Sequence, residues 1–360
     1  MECKSNFMRS FRLKVWRTIP NMIVHFIDQG EMWTSSGYTI YKSIDNGVSF
    51  IRVVDLNVSF PASSLVKVRL FARAFRLGVR VLKKLKDGTL LVVADRKIFR
   101  LRDNKWKVTY FFRRGVGPLR EGLCEDEKGN CYFGEYFLNN KRNTIVNLFK
   151  SRDGGKSWEV ICSFSHIRHI HCVQYDPFSK TIWMGTGDRD KECFIGFSED
   201  EGENWTIIGS GSQKFRTTSL LFTEDYVYWG MDTPARQSYI YRYVRKDGKI
   251  ERLAPVSGPV YHSTILENGV MLFSTGAEGK SEGKSAAWDN RAHIWASLDG
   301  VRWEDLISWE KDSWPYILGY GRVFFAHCSK SRVLAFTTQC LKGNDNKSFI
   351  GYLFVEDENC

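Results

Sequence analysis

Four carboxylates stand one or two residues after a glycine: Gly134-Glu135, Gly187-Asp188, Gly230-Met231-Asp232 and Gly276-Ala277-Glu278. Interleaved with them are Arg120 and Glu121, His169 and His171, Arg216, Tyr261 and His262, and later Arg322. Two carboxyl groups at a suitable separation serve glycoside hydrolysis, one as general acid and one as nucleophile or base. Alternatively, His169 or His262 with Tyr261 can take a proton beside a uronate carboxylate that Arg216 neutralises, which is β-elimination. A third use is structural, with the acids pairing to nearby arginines and lysines. His169 and His171, two apart on a strand, share a face and can reach one metal ion or one substrate group near Asp188. An inner strand also buries alternate side chains, and His171 reads as a core histidine. No C-x-x-C pair or zinc-ligand spacing accompanies them, so no metal or other cofactor is expected.

These residues need a frame that brings distant segments to one place, and the turns disclose it. Ser43-Ile-Asp45-Asn-Gly47-Val-Ser-Phe50, Ser151-Arg-Asp153-Gly-Gly155-Lys-Ser-Trp158 and Ser198-Glu-Asp200-Glu-Gly202-Glu-Asn-Trp205 share the form S-x-D-x-G-x-x-[WF]. Ser297-Leu-Asp299-Gly300-Val-Arg-Trp303 is one residue shorter. In such a turn Asp caps backbone amides, Gly supplies positive φ, and the aromatic packs between sheets. Ser151 and Ser198 are one period of about 50 residues apart, and the other two intervals are about two periods each. Degenerate turns fill the gaps at Leu101-Arg-Asp103-Asn-Lys-Trp106 and Arg245-Lys-Asp247-Gly248. Six turns and a last segment predict an all-β, seven-bladed β-propeller forming a single domain over 1–360, with six blades as the alternative. The final segment offers only three strands, and Phe11–Thr18 is expected to supply the fourth and close the ring.

On these turns the chain resembles the Asp-box (BNR-repeat) β-propellers, the superfamily that includes the sialidases. The resemblance implies that the boxes lie between the third and fourth strands of a blade, on the face away from the active site. Their aspartates are then structural. Sialidases hold a substrate carboxylate with three arginines and use a Tyr/Glu nucleophile pair and an Asp acid. Arg120, Arg216 and Arg322 are candidates for that triad, and Tyr261 for the nucleophile. Arg17-Thr-Ile-Pro20 departs from the family's Arg-Ile-Pro motif by the inserted Thr18, and seven blades differ from the sialidase six. Related propellers include other glycosidases and lyases of uronate polymers, so the likeness implies glycan processing as a class.

In a propeller the start of each inner strand and the end of the second strand reach one face. That places Glu135, Asp188, Asp232 and Glu278 there as acid/base candidates and His169, Tyr261 and His262 as proton-transfer groups. Arg120, Arg216 and Arg322 are the carboxylate ligands expected beside them. The long 59–77 insertion decorates the same face, and its Leu65–Leu77 part is expected to be helical. Arg69, Arg73 and Arg76 then share one side, which makes Arg73 and Arg76 further substrate-binding candidates. The 276–290 stretch, rich in Gly, Ser and Lys, reads as a flexible loop.

Composition bounds the rest. The 360 residues carry 52 Lys+Arg against 41 Asp+Glu, a formal charge of +11, which suits an anionic ligand. The 43% hydrophobic content supports a large core, and 12 Trp, 15 Tyr and 25 Phe favour strands. No run of about 18 apolar residues is present, so no membrane-spanning helix is expected. No RNP-like run, zinc finger or helix-turn-helix pattern appears, and nucleic acid is not the expected partner. The first 20 residues lack a signal-peptide pattern and the nine cysteines read as reduced thiols, which suggests a cytoplasmic protein; a processed secreted chain stays open. The expected partner is an acidic glycan, bound and cleaved by a sialidase-like hydrolase or a uronate lyase. A non-catalytic propeller that presents its face to a protein is the reading from a different class.

Overall fold

The computed structural model describes residues 9–103, 105–234, 236–278, 289–328 and 331–357. Seven antiparallel sheets succeed one another along the chain, six of them with four strands. The inner strands of blades 1 to 7 are Ile23–Asp28, Val79–Lys84, Leu123–Glu125, His169–Asp176, Leu220–Phe222, Val260–Ile265 and Arg322–Phe325. Blade 1 gains a fifth, two-residue strand, His327–Cys328, which runs parallel to its inner strand. The ring therefore has seven blades, not six. It closes as expected: Arg9–Pro20 is the outer strand of blade 7, pairing with Lys347–Asp357 from Arg9↔Asp357 to Pro20↔Lys347. This covers a sheet edge that would otherwise present unpaired amides.

Each blade buries one face against the next, so the core is a succession of apolar layers between neighbouring sheets. Ile40, Val92 and Phe99 fill the layer between blades 1 and 2, and Tyr132, Leu148, Val173 and Met184 that between blades 3 and 4. The Ser-x-Asp turns tie these layers from the outside. In three of them a serine hydroxyl accepts the glycine N–H four residues on: Gly47 to Ser43 at 2.8 Å, Gly155 to Ser151 at 2.8 Å and Gly202 to Ser198 at 2.7 Å. In the short copy Gly300 reaches Ser297 at 2.9 Å, three residues back. Each turn glycine then abuts the preceding blade. A Cβ at Gly155 would stand 2.5 Å from Leu91, and one at Gly300 2.3 Å from the Tyr228 hydroxyl. The motif is thus a wedge between blades. A charge pair reinforces one wedge: Glu201, in the turn of blade 4, takes the ammonium of Lys150 from blade 3, whose side chain is 0% exposed.

The turn carboxylates have a pH signature. Hydrogen bonds, led by those from Ser49 at Asp45 and Asn204 at Asp200, hold both carboxyls down to about 2. At Asp153 burial opposes this, but Ser157, Ser151 and Lys156 outweigh it and the value is again about 2. A carboxyl lowered on folding stabilises above its unfolded pKa of about 3.9, and that contribution disappears as pH falls through the folded value. The melting temperature is therefore expected to drop between about pH 4 and pH 2. A triple Asp45→Asn, Asp153→Asn, Asp200→Asn protein is expected to lose that part of the slope, and calorimetry across this range checks it.

One irregularity recurs at the centre. The inner strands of blades 1, 2, 4 and 6 each carry a bulge, at His25, Arg80, His171 and Tyr261 respectively. An extra residue breaks the in–out alternation and re-aims its side chain. All four bulged residues are polar, and all four reappear in the central channel.

Candidate functional site

The channel has two layers. At the mouth, blade 4 contributes His169, His171 and Asp188. His171 Nε2 lies 3.0 Å from His169 Nε2 and 3.2 Å from Asp188 Oδ1, and His169 Nε2 is 3.4 Å from the same oxygen. The ring of His171 packs over Gly187, where a Cβ would approach to 2.5 Å, so only glycine admits it. Arg168 binds Asp188 Oδ2, and Arg216 of blade 5 reaches Oδ1 at 3.1 Å and Asp232 Oδ2 at 3.3 Å. Burial opposes ionisation of Asp188, but its contacts with the two imidazoles and the charge of Arg216 hold it well below the usual range. Burial pushes Asp232 up to about 7, with Arg216 pulling it down and Glu278 and Asp188 adding to the rise. His171 is pushed down to about 4 by burial, against the pull of Asp188.

Blade 6 adds a Tyr–Glu couple. The Tyr261 hydroxyl donates to Glu278 Oε1, and its ring lies over Gly276, where a Cβ would stand 2.0 Å away. Tyr320, on the approach to blade 7, packs on Tyr261 at 5.3 Å between ring centres. Tyr136 of blade 3 stacks on His169 at 4.1 Å.

The other side of the mouth is cationic. Arg80 and Arg322 bring guanidinium groups to the channel, and exposed Arg76 lies close enough to repel Arg80. Arg322 donates to the amide oxygen of Gln339 at 3.0 Å and packs on Phe324, and Arg80 has no hydrogen bond or ion pair with any described residue. The Nε atoms of both are shielded from solvent and unpartnered. Burial, then repulsion from Arg322 and Arg76, pulls Arg80 down to about 10. Burial raises Tyr320, while Arg322 and Arg76 act on it in one direction and Glu278 and Asp232 in the other. The arginines and the acids therefore border one space.

Below lies a histidine layer. Arg120 donates to the Val24 carbonyl at 2.8 Å and faces His25 at 3.5 Å. His262 and His327 are held neutral, by burial first. Burial pushes Glu121 up to about 7 against the charge of Arg120. Of the seven histidines, five (25, 169, 171, 262 and 327) line this one channel.

The structure thus brings Asp188, Asp232, Glu278, His169, Tyr261, Arg216, Arg322 and Arg76 to the mouth. It sets Arg120 and His262 in the deeper layer and takes two expected residues elsewhere. Glu135 points outward, accepting from the Asn147 amide at 2.9 Å, and lines a separate cleft of about 470 Å³ with Arg113 and Arg114. Arg73, 7% exposed, is spent on Asp312 and the Leu318 carbonyl. The insertion folds as Ala62–Leu65 and Arg69–Ala74 rather than one helix over Leu65–Leu77, and Arg69 pairs with Asp345. Its basic stripe is thereby neutralised, leaving only Arg76 toward the channel. Residues 279–288 of the expected loop at 276–290 lie outside the described residues.

Tyr136, Arg80, Tyr320 and Arg168 are site residues that the sequence reading missed. Tyr136 had a signal. It stands two after Gly134, as Asp232 and Glu278 stand two after Gly230 and Gly276, and alternation turns the residue between outward.

No protein-family model matches the chain, and no curated protein does. Solved structures of similar fold include YCF48 bound to a D1 peptide, at 12% identity and TM-score 0.59 over 94% of this chain and 95% of that one. A chain of the mitotic checkpoint complex matches at 9% and 0.58, over 94% of each chain. An oligogalacturonate lyase in complex with manganese matches at 9% and 0.57, over 97% of this chain and 98% of that one. At these identities the likeness establishes the architecture: the chain is an all-β, seven-bladed propeller with its polar residues gathered around the axis.

Proposed function

We propose that the protein binds an acidic glycan in the central channel and cleaves it, as a glycoside hydrolase of sialidase-like type. The observation that carries this reading is the pair Arg80 and Arg322, which no described carboxylate neutralises, with Arg76 nearby and three carboxylates on the other side of the channel. Shielded guanidinium N–H groups that lack partners among the described residues cost free energy, and a ligand carboxylate beside these guanidinium groups offsets that cost. In this account a sugar acid docks on the arginines, which sets its glycosidic bond over the acid side. Tyr261, with Glu278 accepting its proton, is the nucleophile, and buried Asp232 donates to the leaving oxygen. The Ser-x-Asp turns and the Tyr–Glu couple support kinship with the Asp-box propellers. Of the solved structures of similar fold, the lyase supports an acidic glycan as ligand class.

The test is mass spectrometry of products from a panel of acidic oligosaccharides. Products that gain one water are expected, and Arg322→Ala and Arg80→Ala are each expected to weaken binding by about 10- to 100-fold. An unsaturated product with no added water replaces hydrolysis by β-elimination on a uronate. Intact glycans with no measurable affinity overturn the reading in favour of a partner-binding propeller. One observation favours that second account: Phe71, Phe75, Trp314 and Ile317 are exposed on two segments that pack against each other, residues 69–75 and 314–318.

A further inference from the structure

The two mouth histidines hold their protons on the wrong side for each other. His169 Nδ1 is 3.2 Å from the Phe137 carbonyl oxygen, and His171 Nδ1 is 3.2 Å from that of Thr217. A carbonyl only accepts, so each Nδ1 carries the hydrogen and each Nε2 presents a lone pair. These tautomers are assigned from the partners on both rings. The two lone pairs then point at one another across 3.0 Å and at Asp188 Oδ1 across 3.2 and 3.4 Å. Three acceptors so placed repel one another unless a cation sits between them. One extra proton bridges only one of the three edges.

We infer that His169, His171 and Asp188 form a binding site for a divalent first-row transition-metal ion. The edge lengths fit such an ion. Ligands at about 2.1 Å stand about 3.0 Å apart on an octahedral centre and about 3.4 Å apart on a tetrahedral one. The supporting shell is also present. Backbone carbonyls orient both imidazoles, and Arg168 occupies Asp188 Oδ2, leaving Oδ1 as a single-oxygen ligand. Arg216, also on Oδ1 at 3.1 Å, and Asp232, 3.7 Å from His171 Nδ1, are the remaining charged neighbours. His169 and His171 are almost fully buried, so the ligand set is rigid. Three protein ligands leave coordination positions on the channel side, as in metal centres that take water or substrate. The other convergent group, Asp312, Cys340 and Asp345, has both carboxylates already on Arg73 and Arg69 and offers no such opening.

This inference departs from the sequence expectation of no metal and does not rest on the glycan reading. Its test uses the full untagged chain, dialysed against a chelator and titrated calorimetrically with Zn²⁺ and Mn²⁺. Co²⁺ is added in parallel as a visible-absorption probe. One ion per chain with a dissociation constant at or below about 10 µM is expected, with a rise in melting temperature on loading. Asp188→Asn, close in shape, and His169→Gln are each expected to weaken binding at least about tenfold. His293→Gln, which removes a histidine held by Asp289 and Asp305 on the third strand of blade 6, is expected to change nothing. No stoichiometric binding by the wild-type chain overturns the site, whatever the variants do. So does binding that His169→Gln and Asp188→Asn, both folded by circular dichroism, leave unchanged. Metal bound without glycan turnover leaves the site standing and removes only the hydrolase.

Discussion

Replacing Tyr261 by Phe is expected to lower turnover of the preferred acidic oligosaccharide by about 10²–10⁴-fold. Affinity for the intact substrate should change little, because the arginines that hold its carboxylate stand across the channel. The substitution removes one oxygen and keeps the ring that packs over Gly276 and against Tyr320, so the fold is preserved. Burial, and then the charge of Glu278, push the Tyr261 hydroxyl well above its ordinary pKa. It is therefore a poor nucleophile until its proton passes to Glu278, to which it already donates. Glu278→Gln is accordingly expected to act in the same direction. Steady-state and single-turnover rates on the substrate identified by the product panel check both. Turnover of the Phe variant within a factor of about 3 of wild type rules out Tyr261 as nucleophile.

The second large effect concerns stability. Glu201→Ala is expected to destabilise the fold by about 3–5 kcal/mol, since it leaves the ammonium of Lys150 buried without its counter-charge. Lys150 also lies 5.6 Å above the ring of Tyr132, which it would retain. Removing both charges is a different perturbation. Lys150→Met with Glu201→Leu is expected to recover most of the loss, because an apolar pair avoids desolvating two ions. Urea unfolding of Lys150→Met, Glu201→Leu and their double, read as a double-mutant cycle, measures the coupling. A loss below about 1 kcal/mol for Glu201→Ala would mean that Lys150 finds water or another acceptor.

The architecture was legible because it is written in local chemistry. A Ser-x-Asp-x-Gly turn needs its residue types at fixed spacing, and the period between copies gives the blade count without reference to any contact. The closing strand was legible too, since the last segment lacked a fourth strand and an uncovered edge is costly. The site was legible in part. Asp232 and Glu278 follow from alternation after a glycine, but Glu135, one residue out of phase, faces the outer cleft. The helix drawn over Leu65–Leu77 failed for a tertiary reason. Asp312 and Asp345 draw Arg69 and Arg73 into ion pairs, and the chain leaves the helix at Ala74, with Arg76 at φ 53°. Arg80 was not legible, because a bulge suspends the alternation on which such reasoning depends.

Those bulges have a bearing on how such a channel is inherited and remade. A residue that stands outside the pleat register can change type without shifting its strand partners. Positions 25, 80, 171 and 261 are therefore four sockets on a fixed chassis, one each in blades 1, 2, 4 and 6. Exchanging their occupants retunes the chemistry at the axis while the blades, the wedged turns and the closing strand stay as they are. A substitution at any of the four is expected to alter the axis while the hydrogen-bonded pairs on either side of it keep their register.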